Sequence, residues 1–218
     1  MSRKDLFNLC ITYKKVKIIK KLVLLFACVF CFYNANTFAE QKVGSYNVLD
    51  RSLDVEASIN DKGQLNVYVG ILGEYTHTNI MLGIKGEDNI KSFAYSLREM
   101  KAKYNEWKGV ARANGVTDYS KEMDIPFPNV EIYWKGSSKW YSTFSRNFIK
   151  MMFLVSDDGS ASVGCGGEAE DWDNEYITEQ WYFLFTSADE IEGLIKVLDV
   201  EKIKNKLSSK QNTDDLFN

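Results

Sequence analysis

One stretch, residues 88–115, constrains the fold more than any other part of the chain. Its apolar residues recur at alternating steps of three and four, a spacing that places side chains on one face of an α-helix. These residues are Ile90, Phe93, Leu97, Met100, Tyr104, Trp107 and Ala111. Asp88 is in position to cap the first free N–H groups, and Asn114-Gly115 offers the left-handed backbone that often ends a helix. We therefore predict one long helix over about residues 88–113.

The segments on both sides of this helix alternate apolar and polar residues with a period of two, which is typical of strands with one buried face. The clearest case is a hairpin across Asn60-Asp61-Lys62-Gly63, which is flanked by alternating runs ending at Ile59 and beginning at Leu65. Later, residues 160–165 form a strand of small residues that would let the long helix lie close to the backbone. The element order lacks the regular alternation of a parallel sheet. We predict an α+β fold, with a mainly antiparallel sheet of about seven strands packed on the long helix.

A helical segment is predicted near the carboxyl end, over about residues 188–207. Ser187-Ala188-Asp189-Glu190 has the serine and glutamate spacing of a capping box. Asp199 is placed to cap a second short helix that follows, and the polar residues from about 208 onward form a tail.

The amino-terminal residues 1–39 resemble a secretory signal. Five lysines between Lys14 and Lys21 precede an apolar run from Leu22 to Tyr33, and small residues lead up to Ala39. The apolar run is about a dozen residues, whereas a membrane-spanning helix needs about twenty. We therefore expect cleavage after Ala39, a single domain over residues 40–218, and a secreted or periplasmic location without a transmembrane segment. Leu25-Phe26-Ala27-Cys28 offers the alternative that Cys28 carries a lipid anchor.

The expected domain is acidic and has one cysteine. Residues 1–39 hold seven of the 27 basic and one of the 30 acidic residues, so 20 basic and 29 acidic residues give residues 40–218 a formal net charge of −9. Such a chain has no general attraction to nucleic acid, whose binding depends on Lys and Arg. Cys165 is alone in this part of the chain, which does not suit a disulfide framework.

An enzymatic hypothesis needs a nucleophile and a base, and the sequence offers one pair. Cys165 lies among glycines in Val163-Gly164-Cys165-Gly166-Gly167, and His77 is the only histidine of the chain. A cysteine-type hydrolase would use the Cys165 thiolate with His77 as its base. Against this, the strand pattern places Cys165 with Ala161 and Val163 on the core side, where a cysteine is an inert small hydrophobe. The sequence therefore favours a protein that is not an enzyme.

Residues 166–175 are predicted as an acidic loop. Calcium takes six to eight oxygen ligands, often from closely spaced carboxylates, and the candidate ligands here are Glu168, Glu170, Asp171, Asp173 and Glu175. The loop lacks the spaced glycine and distal glutamate of an EF-hand. Calcium-dependent binding through residues 168–175 is thus one alternative, and a solvated loop without any cofactor is the other.

Several aromatic residues are candidates for a binding surface. Trp172 lies inside the acidic stretch, and Trp140 with Tyr141 could extend an aromatic surface, while Trp107, Trp134 and Trp181 are expected in the core. An exposed tryptophan beside carboxylates is typical of a surface that recognises a glycan or a peptide. The leading hypothesis is an exported, non-catalytic binding module that recognises a protein or glycan partner.

Overall fold

The structure is a computed structural model, and it describes residues 40–74, 79–136, 139–144 and 149–215. These residues contain three helices and ten strands, and they belong to one compact unit, Glu40–Asn218. The helices are α1 (Glu87–Ala113), α2 (Ala188–Val197) and α3 (Val200–Asp215). The strands are β1 (Gln41–Val48), β2 (Arg51–Ile59), β3 (Leu65–Gly73), β4 (Ile80–Lys85), β5 (Tyr119–Glu122), β6 (Glu131–Lys135), β7 (Trp140–Phe144), β8 (Met152–Val155), β9 (Ala161–Asp171) and β10 (Asn174–Phe185).

Strand β3 is the branch point of one antiparallel sheet. β2 and β4 pair along its two edges, and β10 pairs with Leu72 and Gly73, beyond the residues of β3 that pair with β2. The sheet continues through β10, β9, β8 and β5 on one side and through β4, β6 and β7 on the other, while β1 pairs with β2. The predicted α+β fold with an antiparallel sheet is confirmed, although the described residues form ten strands rather than about seven.

The additional strands carry little signal of their own. β5 has four polar or aromatic residues, Tyr119 to Glu122, which are all exposed, and it exists because it pairs with β8. β1 was not predicted either, and it pairs with Arg51 to Ala57 of β2. Strands of this kind depend on distant partners, which a local sequence pattern does not reveal.

Helix α1 buries the predicted stripe against the sheet. Phe93, Leu97 and Tyr104 are at most 1% exposed. The Phe93 ring lies 5.5 Å from that of Phe127 and 5.9 Å from that of Phe183 in β10, measured between centroids. The stripe is thus the face of α1 that packs against the sheet. The predicted long helix is confirmed, and its start differs from the prediction by one residue.

The predicted end of α1 is confirmed, whereas the predicted cap at its start is not. The prediction that Asp88 caps the helix was wrong. The cap residue is Gly86, so the cap position provides no side-chain hydrogen bond to the first turn. Asp88 lies instead in the first turn, where its charge suits the helix dipole. At the other end the prediction is confirmed: Gly115 has φ of 62°, and the N–H of Val116 donates to the Ala111 carbonyl at 3.0 Å.

The carboxyl-terminal helices begin as the sequence indicates. The Ser187 hydroxyl accepts from the Glu190 N–H at 3.2 Å, and the Glu190 carboxylate accepts from the Ser187 N–H at 3.1 Å. Asp199 accepts from the Lys202 N–H at 3.1 Å and starts α3, which continues past residue 207 to Asp215. None of the helices in the described ranges is long and apolar enough to span a membrane.

Candidate functional site

The acidic stretch is part of a β-hairpin, so the prediction of a loop over residues 166–175 was wrong. Strand β9 runs to Asp171, Trp172-Asp173 form the turn, and β10 starts at Asn174. The ladder pairs Glu168 with Gln180 and Glu170 with Thr178. The glycines and charged residues of this stretch suggest a loop. Its backbone groups nevertheless form strand hydrogen bonds, because residues of β10 about ten positions further along the chain pair with them.

The small residues of β9 make room for the neighbouring strand rather than for helix α1. A methyl group on Gly164 would lie 2.8 Å from a Leu184 side-chain atom, and one on Gly166 would lie 2.8 Å from the Tyr182 ring. Helix α1 meets β9 at its start, where the Tyr104 hydroxyl donates to the Ala161 carbonyl at 3.1 Å. The expectation that the small residues admit the helix therefore holds only at that end.

The two faces of the hairpin differ in character. On β9, Ala169 and Asp171 are buried, whereas Glu168 and Glu170 alternate with them and are exposed. Asp171 pairs with Asn174 but Glu170 pairs with Thr178, so residues 175–177 protrude from the ladder. In a regular strand, successive side chains would point to opposite faces of the sheet. The bulge breaks this alternation near the tip of the hairpin.

Two aromatic side chains dominate the tip. Trp172 is 72% exposed and Tyr176 is 88% exposed, and Tyr182 adds a 44% exposed ring further down the outward side of β10. The sequence singled out Trp172 and offered Tyr182 as a residue that could extend the surface, but it did not point to Tyr176. The signal that could have identified Tyr176 is its position directly after Glu175 in a stretch rich in carboxylates.

The other aromatic candidates lie on a different strand. Trp140 is 43% exposed in β7, a strand that pairs with β6 and passes beside β9. Tyr141 is half-buried, and its ring stacks on that of Trp134 with centroids 5.8 Å apart. Trp134 is buried as expected, and Trp107 and Trp181 are partly buried against the core. Tyr141 thus has a packing role, while Trp140 remains available at the surface.

The hairpin carries negative charge without compensation in the sequence. No lysine or arginine occurs between Lys150 and Lys196. None of the ion pairs found among the described residues involves the four exposed carboxylates, which are Glu168, Glu170, Asp173 and Glu175. No lysine or arginine among these ion pairs neutralises the four carboxylates, so they are available to attract a cation from solution.

The candidate calcium ligands do not converge. Strand alternation sends Glu168 and Glu170 outward and Asp171 inward, and Asp173 lies in the turn. Within the described ranges no group of three or more His, Cys, Asp or Glu side chains is arranged to hold a metal ion. The geometry gives the predicted calcium site at residues 168–175 no support.

Cys165 has the environment of a packing residue. It is partly buried against the core, lies opposite Phe183 in the ladder, and burial raises the pKa of its thiol to about 12. A thiol with this pKa stays protonated at neutral pH, whereas nucleophilic attack requires the thiolate. His77 lies outside the described residues, so the pairing of Cys165 with His77 stays a prediction.

Comparisons with protein-family models, with curated proteins and with solved structures gave no match to this chain.

Proposed function

We propose that this protein is a non-catalytic binding module that recognises a basic segment of a partner protein through the tip of the β9–β10 hairpin. The observation that supports this is the arrangement of Trp172 and Tyr176, both largely exposed, among four exposed carboxylates. A lysine or arginine side chain suits such a surface, because it can contact a ring face and a carboxylate at the same time.

Charge favours a cationic partner over a neutral one. Each cation–π contact at an exposed site contributes about 0.5–1 kcal/mol, and the carboxylates add attraction that salt weakens. A neutral glycan could also stack on Trp172, but it would gain little from carboxylates that lack a counter-charge. Salt dependence therefore separates a basic protein segment from a glycan as the partner.

The test is binding of a labelled Lys/Arg-rich peptide by fluorescence anisotropy, at low salt and near 0.3 M salt. We expect binding that weakens at least about tenfold across this range, because exposed charges are screened. Trp172→Ala with Tyr176→Ala should weaken binding by about tenfold or more, as loss of two aromatic anchors does at a small interface. Tyr95→Ala, which removes a 58% exposed ring from α1, is the matched control and should leave binding unchanged.

Three results would contradict this function. They are the absence of peptide binding, binding that ignores the Trp172 and Tyr176 substitutions, and binding of neutral oligosaccharides that salt does not affect. The hydrolase hypothesis has its own test: a turnover abolished by Cys165→Ala would establish an enzyme and overturn the non-catalytic proposal.

We also propose that the protein is exported, since residues 1–39 have the composition of a secretory signal. Mass spectrometry of the protein recovered from its own host distinguishes the two processing routes. Cleavage after Ala39 leaves Glu40 as the first residue, whereas lipid attachment leaves a modified Cys28 there. An intact amino terminus would contradict export through this signal.

A further inference from the structure

A groove lies between α1 and the two carboxyl-terminal helices. Its wall residues on α1 fall between Lys91 and Asn105, and those on α2 and the start of α3 fall between Glu192 and Lys202. We call it the helix groove. It has a volume of about 840 Å³. Clefts of about 300–1,000 Å³ are large enough to hold most of a drug-sized ligand, so the helix groove can take up one or two large side chains.

The helix groove is basic, although residues 40–218 carry a formal net charge of −9. Five of its lining residues are basic and three are acidic, which gives the groove a formal charge of +2. The basic residues are Lys91, Arg98, Lys101, Lys196 and Lys202, and the acidic ones are Glu192, Asp199 and Glu201. A positively charged groove on an acidic protein favours an anionic ligand.

Two of the basic residues are available to a ligand. Lys101 already contacts Glu192 at 2.7 Å, from α1 to α2. Arg98 of α1 and Lys196 of α2 are exposed, and neither belongs to an ion pair found among the described residues. Both can therefore form charge-assisted hydrogen bonds with carboxylates from outside, and the planar guanidinium of Arg98 suits a bidentate contact.

The groove also offers apolar contacts. Ala94 of α1 and Ile195 and Leu198 at the end of α2 are lining residues, and each is at most 7% exposed. An aromatic ring bound there would contact these side chains, and its face would be within reach of the Arg98 guanidinium. The helix groove thus suits a ligand that carries aromatic rings and carboxylates together.

The tip of the β9–β10 hairpin has this combination. Trp172 and Tyr176 are 72% and 88% exposed, and four exposed carboxylates surround them. The tip cannot enter the groove of its own chain. Tyr176 lies about 30 Å along β10 from Phe185, because a strand advances about 3.3 Å per residue, and α2 begins only at Ala188. A contact between tip and groove therefore requires two molecules.

We propose that copies of this protein associate head to tail, with the hairpin tip of one copy bound in the helix groove of the next. The inference rests on the proposed function and names the basic partner of the same tip. The two contacting surfaces differ, so the interface is heterologous, and each dimer keeps one free tip and one free groove. Larger assemblies should therefore follow the dimer as the protein concentration rises.

The net charge of −9 opposes association, so salt decides when it is observed. At about 0.1 M salt the Debye length is about 10 Å, which screens repulsion between distant charges more than attraction between groups in contact. A tip inserted in a groove also buries little surface, and interfaces below about 1,200 Å² are typical of weak, transient complexes. We therefore expect association at high protein concentration in moderate salt.

The first experiment is sedimentation velocity of the purified protein between about 0.01 and 0.5 mM, a range suited to weak contacts, in about 0.1 M salt. The weight-average sedimentation coefficient should rise with concentration. Arg98→Glu and Lys196→Glu should each weaken association about tenfold, because each places a carboxylate opposite the acidic tip. Lys62→Glu makes the same charge change in the exposed β2–β3 turn, outside the groove, and is the matched control.

Two results of this experiment would overturn the proposal. One is a sedimentation coefficient that does not change with concentration. The other is an equal effect of Arg98→Glu and Lys62→Glu, which would assign the association to net charge rather than to the helix groove. Circular dichroism should first confirm that each variant melts as the wild type does. The Lys196→Glu variant serves as the groove variant if Arg98→Glu does not fold.

The second experiment mixes two variants that are each defective on one side of the contact. Arg98→Glu retains the tip, and the double variant with Trp172→Ala and Tyr176→Ala retains the groove, so each alone should associate weakly. An equimolar mixture should form dimers and nothing larger, because only one intact tip meets one intact groove. A mixture that associates no better than its components would overturn the proposal. Self-association that needs Arg98 but persists without both rings would also overturn it, since another acidic surface would then occupy the groove.

The Lys/Arg-rich peptide separates this inference from the proposed function. Arg98→Glu should bind the peptide as the wild type does, because its hairpin tip is unchanged. Peptide binding that depends on Trp172 and Tyr176, without any self-association, would overturn the head-to-tail contact and leave the function of the tip intact. Self-association restored in the variant mixture supports the head-to-tail contact even where a short peptide fails to bind.

Discussion

At the scale of single residues, the Tyr104 hydroxyl connects helix α1 to the sheet. It donates to the Thr186 carbonyl at 2.6 Å or to that of Ala161 at 3.1 Å, and it accepts from the Lys108 ammonium group at 3.1 Å. Tyr104→Phe keeps the ring but leaves these groups without their partner. We expect the free energy of unfolding to fall by about 1–2 kcal/mol, measured by urea denaturation.

The control for this prediction is Tyr95→Phe. Tyr95 lies on the same helix but is 58% exposed, so loss of its hydroxyl should change the free energy of unfolding by less than about 0.5 kcal/mol. Equal effects of the two substitutions would show that the hydroxyl of Tyr104 contributes no specific stability. The helical stripe predicts the burial of Tyr104, but periodicity cannot reveal the carbonyl groups that accept from its hydroxyl, which belong to Ala161 in β9 and to Thr186 directly after β10.

At the scale of elements, the sequence predicts structure where the signal is local and fails where the partner is distant. The β2–β3 hairpin is correctly predicted because its turn is encoded within four residues: Asn60 accepts from the N–H groups of Lys62 and Gln64, and Gly63 has φ of 74°. The β9–β10 hairpin has only Trp172-Asp173 at its turn, and a bulge breaks the alternation of β10. Its carboxylates and Trp172 are evident in the sequence, whereas the exposure of Tyr176 beside them is located by the structure.

The position at which α1 ends can be tested by the same substitution at two glycines. Gly109 lies inside the helix and Gly115 lies just beyond its carboxyl end. Gly115 has φ of 62°, and Gly109 lies in the exposed helix interior where an added methyl group meets nothing within 4 Å. Gly115→Ala should destabilise the protein by about 1 kcal/mol, because an L-residue is strained in the left-handed region. Gly109→Ala should stabilise it by about 0.5–1 kcal/mol through helix propensity. Thermal unfolding that shifts in the same direction for both would contradict this boundary.

At the scale of the whole molecule, both faces of the sheet centre are buried, and this could not be predicted from the alternation of β3. Asn66 and Tyr68 occupy positions that the pattern assigns to solvent, yet both are buried. The cover on the face that Asn66 and Tyr68 share includes Tyr133 of β6, and the pairing of β6 with β4 is a long-range feature. The polar residues on this face consequently have no local signature, since Glu56 and Asn66 are separated in the chain and come near each other only through the β2–β3 ladder.

The half-buried carboxyl group of Glu40 should make stability depend on pH. The pKa of Glu40 is raised from 4.5 to about 7, so the folded protein holds this proton more tightly than the unfolded chain does. The stabilisation is complete below about pH 4.5 and is lost as the pH rises through about 7. The shift corresponds to about 3 kcal/mol before screening, and screening at this partly exposed site reduces the expected effect to about 1–2 kcal/mol.

In a protein that keeps the residues preceding position 40, Glu40→Gln isolates this contribution, because the amide stays neutral at every pH while the other charges of this acidic chain remain. A chain cleaved after Ala39 would instead carry an α-ammonium group on residue 40, so mass spectrometry of the sample should confirm that the preceding residues are present. The melting temperature of the wild type should fall more between pH 5 and pH 8 than that of the variant. Glu87 and Glu192 do not affect this window, since hydrogen bonds to Lys204 and Lys101 lower the pKa of their carboxyls and their contributions are lost only in acid. Parallel curves for the two proteins would show that Glu40 releases its proton equally in the folded and unfolded states and would contradict the raised pKa of this carboxyl group.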